Sequence, residues 1–158
     1  MPQHSSQPAI VGTGPQALVQ AFHDFIRTGP CLQIEIHIPD VLAQQLQAAG
    51  LPVPAPVAGK ALVDTGASIS GIDESHAQAL GLKSIATVQC STPTGTKVQQ
   101  VYAVKFEFPG STIPVTPLLT VLGNEIKNQG IDVLLGRDYL GDKVLIYNGP
   151  MRLYTICF

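Results

Sequence analysis

Tryptophan is absent from the 158 residues, aromatics make up 6 %, and charged side chains make up only 13 %. The formal net charge is -2 and the isoelectric point lies near 6.0. No cationic surplus exists to neutralise phosphates, which argues against nucleic acid as a partner. No apolar run approaches the roughly 18 to 20 residues that a membrane span needs. The opening Met1-Pro2-Gln3-His4-Ser5-Ser6 lacks a basic stretch followed by an apolar one, so no secretory signal is read there. Three cysteines, Cys31, Cys90 and Cys157, are too few and too far apart for a disulfide framework, and a reducing, cytoplasmic setting is expected. Neither these nor the four histidines fall at ligand spacing, so no metal and no cofactor is assigned. What the chain does have is apolar material. Hydrophobic residues reach 45 % and mean hydropathy is +0.24, enough for the core of one domain. So little charge also suggests that part of the surface is covered by an interface.

Residues 1–9 are polar and read as loose. From Pro15 to Arg27, Leu18, Ala21, Phe22, Phe25 and Ile26 recur at helical spacing, with Gly29-Pro30 ending the pattern. Residues 31–38 alternate as a half-buried strand, and Asp40 opens a short helix to Ala49. A proline-rich connector, 51–56, leads to the apolar strand Ala61-Leu62-Val63. Asp73 to Leu80 reads as a short helix. Segments 86–90 and 98–108 read as a hairpin about Ser91-Thr92-Pro93-Thr94-Gly95-Thr96, and 113–122, 131–135, 143–147 and 151–157 as further strands. The expected class is all-β with a few short helices. Residues 1–30 form an N-terminal extension with a helix, and residues 31–158 form the main domain.

Two motifs carry chemistry: Ala61-Leu62-Val63-Asp64-Thr65-Gly66-Ala67-Ser68 and Ile131-Asp132-Val133-Leu134-Leu135-Gly136-Arg137-Asp138. The first sets a carboxylate at the end of an apolar strand. The glycine after it lets backbone pass close by, and Thr65 and Ser68 offer hydroxyls. Hydrolysing an amide requires a base for the water and an acid for the carbonyl oxygen. Two adjoining carboxylates sharing one proton fill both roles, which is the general behaviour of aspartic proteases and not a deduction from this chain. Of the seven aspartates, only Asp64 precedes Thr-Gly. A twofold dimer that sets Asp64 beside its own copy supplies the second group economically.

Residues from about 57 to 156 resemble a retropepsin-like aspartic protease, the single-domain family of retroviruses and their cellular relatives. Asp64-Thr65-Gly66-Ala67-Ser68 after an apolar strand matches its active-site signature, and Gly136-Arg137-Asp138 after a second apolar run matches its second motif. The resemblance implies a single-lobe acid-protease β-barrel acting as a symmetric homodimer on a peptide or protein substrate, without a cofactor. It implies Asp64 as the catalytic aspartate, Thr65 bonding across the dimer axis, and Gly66 exposing backbone to substrate. Ala67 and Ser68 would line the site. Thr92, Pro93, Thr94, Gly95 and Thr96 would form the flap tip, and Gly136, Arg137 and Asp138 would support the active-site loop. The last strand would enter a sheet built from both chains' termini.

Two departures stand out. Ser68 occupies the place where retroviral enzymes commonly carry an aspartate that pairs with the arginine of the second motif, so Arg137 is left to pair with Asp73 or with the other chain. The segment before Ala61 is also longer than in a minimal retroviral enzyme. Pepsin-like enzymes tend to have serine at the position of Ala67, and its replacement by alanine implies activity at mildly acidic to near-neutral pH.

Other readings compete. Asp64-Thr65-Gly66 alone is also a strand-end turn, and 88–102 is also an ordinary hairpin. The whole fold can serve as a catalytically weak dimerisation or peptide-binding module. Gly12-Thr13-Gly14-Pro15-Gln16-Ala17 resembles a dinucleotide-binding glycine pattern, but Pro15 at the helix start favours a plain loop. His76 reads as a helix-face residue, and the helix at 15–27 as a packing helix or as a cover over an interface or cleft.

Overall fold

The computed structural model describes residues 1–7, 14–92 and 95–158, apart from the side chains of 91 and 92. Strands predominate. The elements in chain order are β1 Gln3–Ser6, α1 Pro15–Thr28, β2 Cys31–His37, α2 Asp40–Ala48, β3 Val57–Val63, β4 Gly71–Asp73, α3 Glu74–Ala79, β5 Ala86–Thr92, β6 Gly95–Glu107, β7 Thr116–Asn124, β8 Val133–Leu135, α4 Arg137–Leu140, β9 Val144–Asn148 and β10 Leu153–Cys157, with a 3-10 turn at Lys127–Gln129. The expected elements are present with ends shifted by at most four residues, the largest shift being the start of β3 at Val57 instead of Ala61. The glycine pattern at 12–17 and the tip residues Pro93 and Thr94 fall partly or wholly outside the described residues.

Seven strands pair in the order β2-β3-β8-β4-β7-β6-β5, and a further β2–β6 pairing returns the path to its start. Alternation explains the core. Leu32, Ile34 and Ile36 point inward from β2, and Ala61 and Val63 from β3, where they meet Val104, Phe106, Val121, Val133 and Leu135. The outer face of β3 is left to Lys60 and Leu62, both half-buried.

Residues 3–6 are not loose. They form β1, paired antiparallel with β10 from Gln3↔Cys157 to Ser6↔Tyr154. Polar side chains hide such an edge strand from any periodicity reading, because it is defined by its partner. The other edge of β10 pairs with β9. The last strand is therefore flanked on both sides by its own chain, and another chain could extend this sheet only at β1 or β9. Helix α1 buries Ala21 and Phe25, and Phe25 stacks on Tyr147 with ring centroids 5.0 Å apart. β1 and α1 thus pack on the rest of the fold.

Candidate active site

The two sequence motifs meet because their strands are neighbours. β3 and β8 run parallel, with Ala61↔Val133, Leu62↔Leu134 and Val63↔Leu135 in register. Parallel strands in register end at the same level, so the chain leaves β3 at Asp64 beside the point where it leaves β8 at Gly136. The Asp64 amide donates to the Leu135 carbonyl at 2.9 Å.

From Asp64 the chain makes a tight turn, with the Ala67 amide 3.3 Å from the Asp64 carbonyl. Inside it, the Gly66 amide donates to Asp64 Oδ1 at 2.8 Å. A Cβ on residue 66 would lie 3.0 Å from that same oxygen, so glycine is what lets the carboxylate settle on this amide. The second carboxylate oxygen has no hydrogen-bond partner among the described residues. Thr65, Gly66 and Ser68 are exposed, Asp64 and Ala67 half-buried. The Thr65 hydroxyl has no hydrogen-bond partner among the described residues.

Beneath this exposed crest the loop is tied down. The Arg137 amide donates to the Ala67 carbonyl at 2.9 Å, and its Nη1 donates to the carbonyls of Thr65 at 2.7 Å and Gly66 at 3.2 Å. Among the described residues of the chain, Arg137 therefore pairs with neither Asp73 nor another carboxylate; it holds the main chain of the turn itself. Asp138 accepts from the Ser70 amide at 2.9 Å and the Ser70 hydroxyl at 2.7 Å, while Ser70 Oγ accepts from the Gly136 amide at 2.9 Å. A Cβ on residue 136 would come within 2.8 Å of the Ile69 backbone, so only glycine allows the loops to approach this closely. Ser70, fully buried, is the knot of this network, and sequence reasoning missed it. Its one signal was a small hydroxyl residue soon after the motif, which means nothing until the parallel pairing is known.

Asp73, considered above as a partner for Arg137, has another task. Its Oδ1 accepts from the amide and hydroxyl of Ser75, capping α3, and its Oδ2 accepts from the amides of Ile126 and Lys127 at 3.0 and 2.9 Å. Burial opposes its charge, but these donors prevail and bring its pKa down to about 2. His76 is buried and bonds Asp132 Oδ1 at 2.8 Å, with Lys60's amide on Oδ2 at 2.9 Å. That pair is built into the fold, away from Asp64's carboxylate.

The hairpin of β5 and β6 runs longer than expected: Ser91↔Thr96 and Thr92↔Gly95 are strand pairs. Gly95 takes a φ of 126°, which side-chain-bearing residues rarely adopt. At the hairpin's base Tyr102 of β6 hydrogen-bonds Glu74, and burial together with that carboxylate pushes the Tyr102 pKa up to about 12. Gln99 bonds Asn124 of β7. The base is pinned while the distal residues 95–98 are exposed.

A different cluster lies across β2 and β6, where Glu35, His37 and Glu107 bring potential ligand atoms within 4.8 Å of one another. Sequence spacing did not reveal it, since Glu107 arrives by cross-strand pairing opposite Glu35. The ammonium of Lys105, 3.0 Å from Glu107, already supplies positive charge there.

The exposed aspartate turn on two parallel strands defines a class, and comparison places the chain in it. A family model described as aspartyl protease matches residues 45–139; the chain belongs to this family, and within it to the retropepsin-like proteins. Among solved structures, the solution structure of Simian Foamy Virus (mac) protease is similar, with 22 % identity and a TM-score of 0.43, covering 71 % of this chain and 92 % of that one. No curated protein matches.

Proposed function

We propose that the protein is an aspartic endopeptidase whose active site is completed by a symmetric homodimer, with Asp64 of each protomer facing the other. One observation carries this reading. The Asp64 turn is fastened from below by Arg137 and by Ser70, while above it presents a single carboxylate with one oxygen unbonded among the described residues and exposed neighbours. Water held between two such carboxylates loses a proton to the ionised one and attacks the peptide carbonyl; the protonated one gives its proton to the carbonyl oxygen. Thr65, whose hydroxyl has no partner among the described residues, bonds across the dimer axis. Hairpins 88–102 of both protomers close over an extended substrate as flaps, with Gly95 near the tip; Pro93 and Thr94, expected at that tip, lie outside the described residues. Because Ala67 cannot donate a side-chain hydrogen bond, activity is expected at mildly acidic to near-neutral pH. Free Cys31, Cys90 and Cys157 suit a reducing, cytoplasmic setting.

The decisive experiment is a dilution series of peptidase activity alongside sedimentation. A dimer-only site loses specific activity as protomers separate. Constant specific activity from a sedimenting monomer would overturn the shared site. If the chain dimerises and binds peptides without turnover, the reading as a catalytically weak binding module takes its place.

A further inference from the structure

Strand β2 precedes the part of the chain that carries the Asp64 and Gly136 motifs. It closes the path of the sheet by pairing with β6 at Glu35↔Glu107, Ile36↔Phe106 and His37↔Lys105. Ile36 and Phe106 are fully buried in the core. Alternation therefore turns Glu35, His37, Lys105 and Glu107 to the outer face of this seam.

Two features of that face are costly as they stand. Glu35 and Glu107 are directly opposite each other, and like charges so placed destabilise a strand pair. His37 Nε2 is shielded from solvent, yet it has no hydrogen-bond partner among the described residues. It lies 3.3 Å from Glu35 Oε2 and 3.9 Å from Glu107 Oε2, in directions that make no hydrogen bond. Lys105 relieves only part of this. Its ammonium lies 3.0 Å from both Asp40 Oδ1 and Glu107 Oε1, so it sits on the Glu107 oxygen other than the one nearest His37. Carboxylates from Glu35, Asp40 and Glu107 face one ammonium, which leaves two negative charges in surplus while His37 is neutral.

We propose that Glu35, His37 and Glu107 bind a divalent transition-metal ion, zinc above all, which staples β2 to β6. Their ligand atoms lie within 4.8 Å of one another. A tetrahedral zinc ion with ligands at about 2.0 to 2.1 Å sets those ligands roughly 3.4 Å apart. The 3.3 Å edge is therefore already made, and the 3.9 Å edge closes with a small turn of the half-buried Glu107 carboxylate. An imidazole nitrogen beside two carboxylates suits zinc, whereas calcium and magnesium favour oxygen alone. Lys105 stays on the second oxygen of Glu107 and orients it, as outer partners of metal ligands do. The ion's two positive charges match the surplus, and its fourth position goes to water.

The test titrates metal-stripped, full-length protein with zinc chloride by calorimetry and with cobalt(II) by visible absorption. One equivalent of zinc should bind with a Kd of about 10 µM or tighter, and saturating zinc should raise the Tm by several degrees. His37→Gln should weaken binding by at least about thirtyfold. Glu35→Gln should lose the thermal response to zinc, while its metal-free form unfolds no lower than the parent because the opposed carboxylates no longer repel. If His37→Gln fails to fold, the Glu35→Gln comparison decides. His23→Gln and Cys90→Ser, which lie outside the cluster, should bind zinc as the parent does. No binding tighter than about 100 µM overturns the inference. So does undiminished binding by the His37 or Glu35 variant, weakened binding by the His23 or Cys90 variant, or a thiolate charge-transfer band in the cobalt spectrum. None of these outcomes involves Asp64, so the peptidase reading stands or falls separately.

Discussion

Asp64 and Asp73 lie nine positions apart, flank the same short stretch of chain, and are treated in opposite ways. Asp73 is 6 % exposed, and both of its oxygens are saturated by donors from Ser75, Ile126 and Lys127. Asp64 receives one amide and leaves one oxygen open on an exposed turn. A carboxylate saturated by its own fold is committed to holding that fold together. One that is under-bonded, on a crest anchored from beneath, is free to meet a partner, a water or a substrate.

The largest expected effect tests that contrast directly. Asp64→Asn should abolish peptidase activity, by about 10⁴-fold or more, while thermal unfolding and sedimentation stay close to those of the parent protein. Retained cleavage would remove Asp64 from the mechanism. Asp73→Ala should show the opposite profile, with stability falling by about 3 kcal/mol in urea denaturation because the Ile126 and Lys127 amides lose their acceptor. A loss below about 1 kcal/mol would show that water replaces the carboxylate at little cost.

Acid sharpens the same comparison. Asp73's folded pKa is depressed to about 2, so its charge stabilises the fold above the unfolded carboxylate range and ceases to do so as pH falls from about 4 through 2. The loss is on the order of 2 kcal/mol, and it should be absent from the pH–stability curve of Asp73→Asn. Identical curves for the two proteins would contradict the assignment. Ser70→Ala strikes the anchor beneath Asp64. It leaves the buried Gly136 amide without its acceptor and should cost about 1 to 2 kcal/mol, with activity falling further than the lost stability explains. Smallest in stability is Arg137→Ala, at about 1 kcal/mol or less because the side chain is exposed, yet with roughly tenfold lower activity as the Thr65–Gly66 backbone loosens. Unchanged kinetics would show that the Ala67 and Ser70 ties suffice.

Much of this was legible in the residues. The apolar run into Asp64, the second run into Gly136, the helical spacing of α1 and the alternation of β2 each follow from local periodicity. The misses share a cause. β1 is polar and exists through β10; β4 is three residues long and exists through β7 and β8; Arg137's true acceptors are backbone carbonyls, which no sequence pattern identifies. Each depends on a partner distant in the chain.

By itself the sequence determined the Asp64-Thr65-Gly66 tripeptide, its placement at the end of an apolar strand, and the fact that only one copy of it is present. Those are properties of adjacent residues, fixed by side-chain type and strand alternation. Only the tertiary structure decided that the two motifs emerge side by side, that Ser70 knots them, and that Glu35, His37 and Glu107 converge on one face. Those outcomes depend on the parallel pairing of β3 with β8 and on the antiparallel pairing of β2 with β6, both of which join residues far apart in the chain.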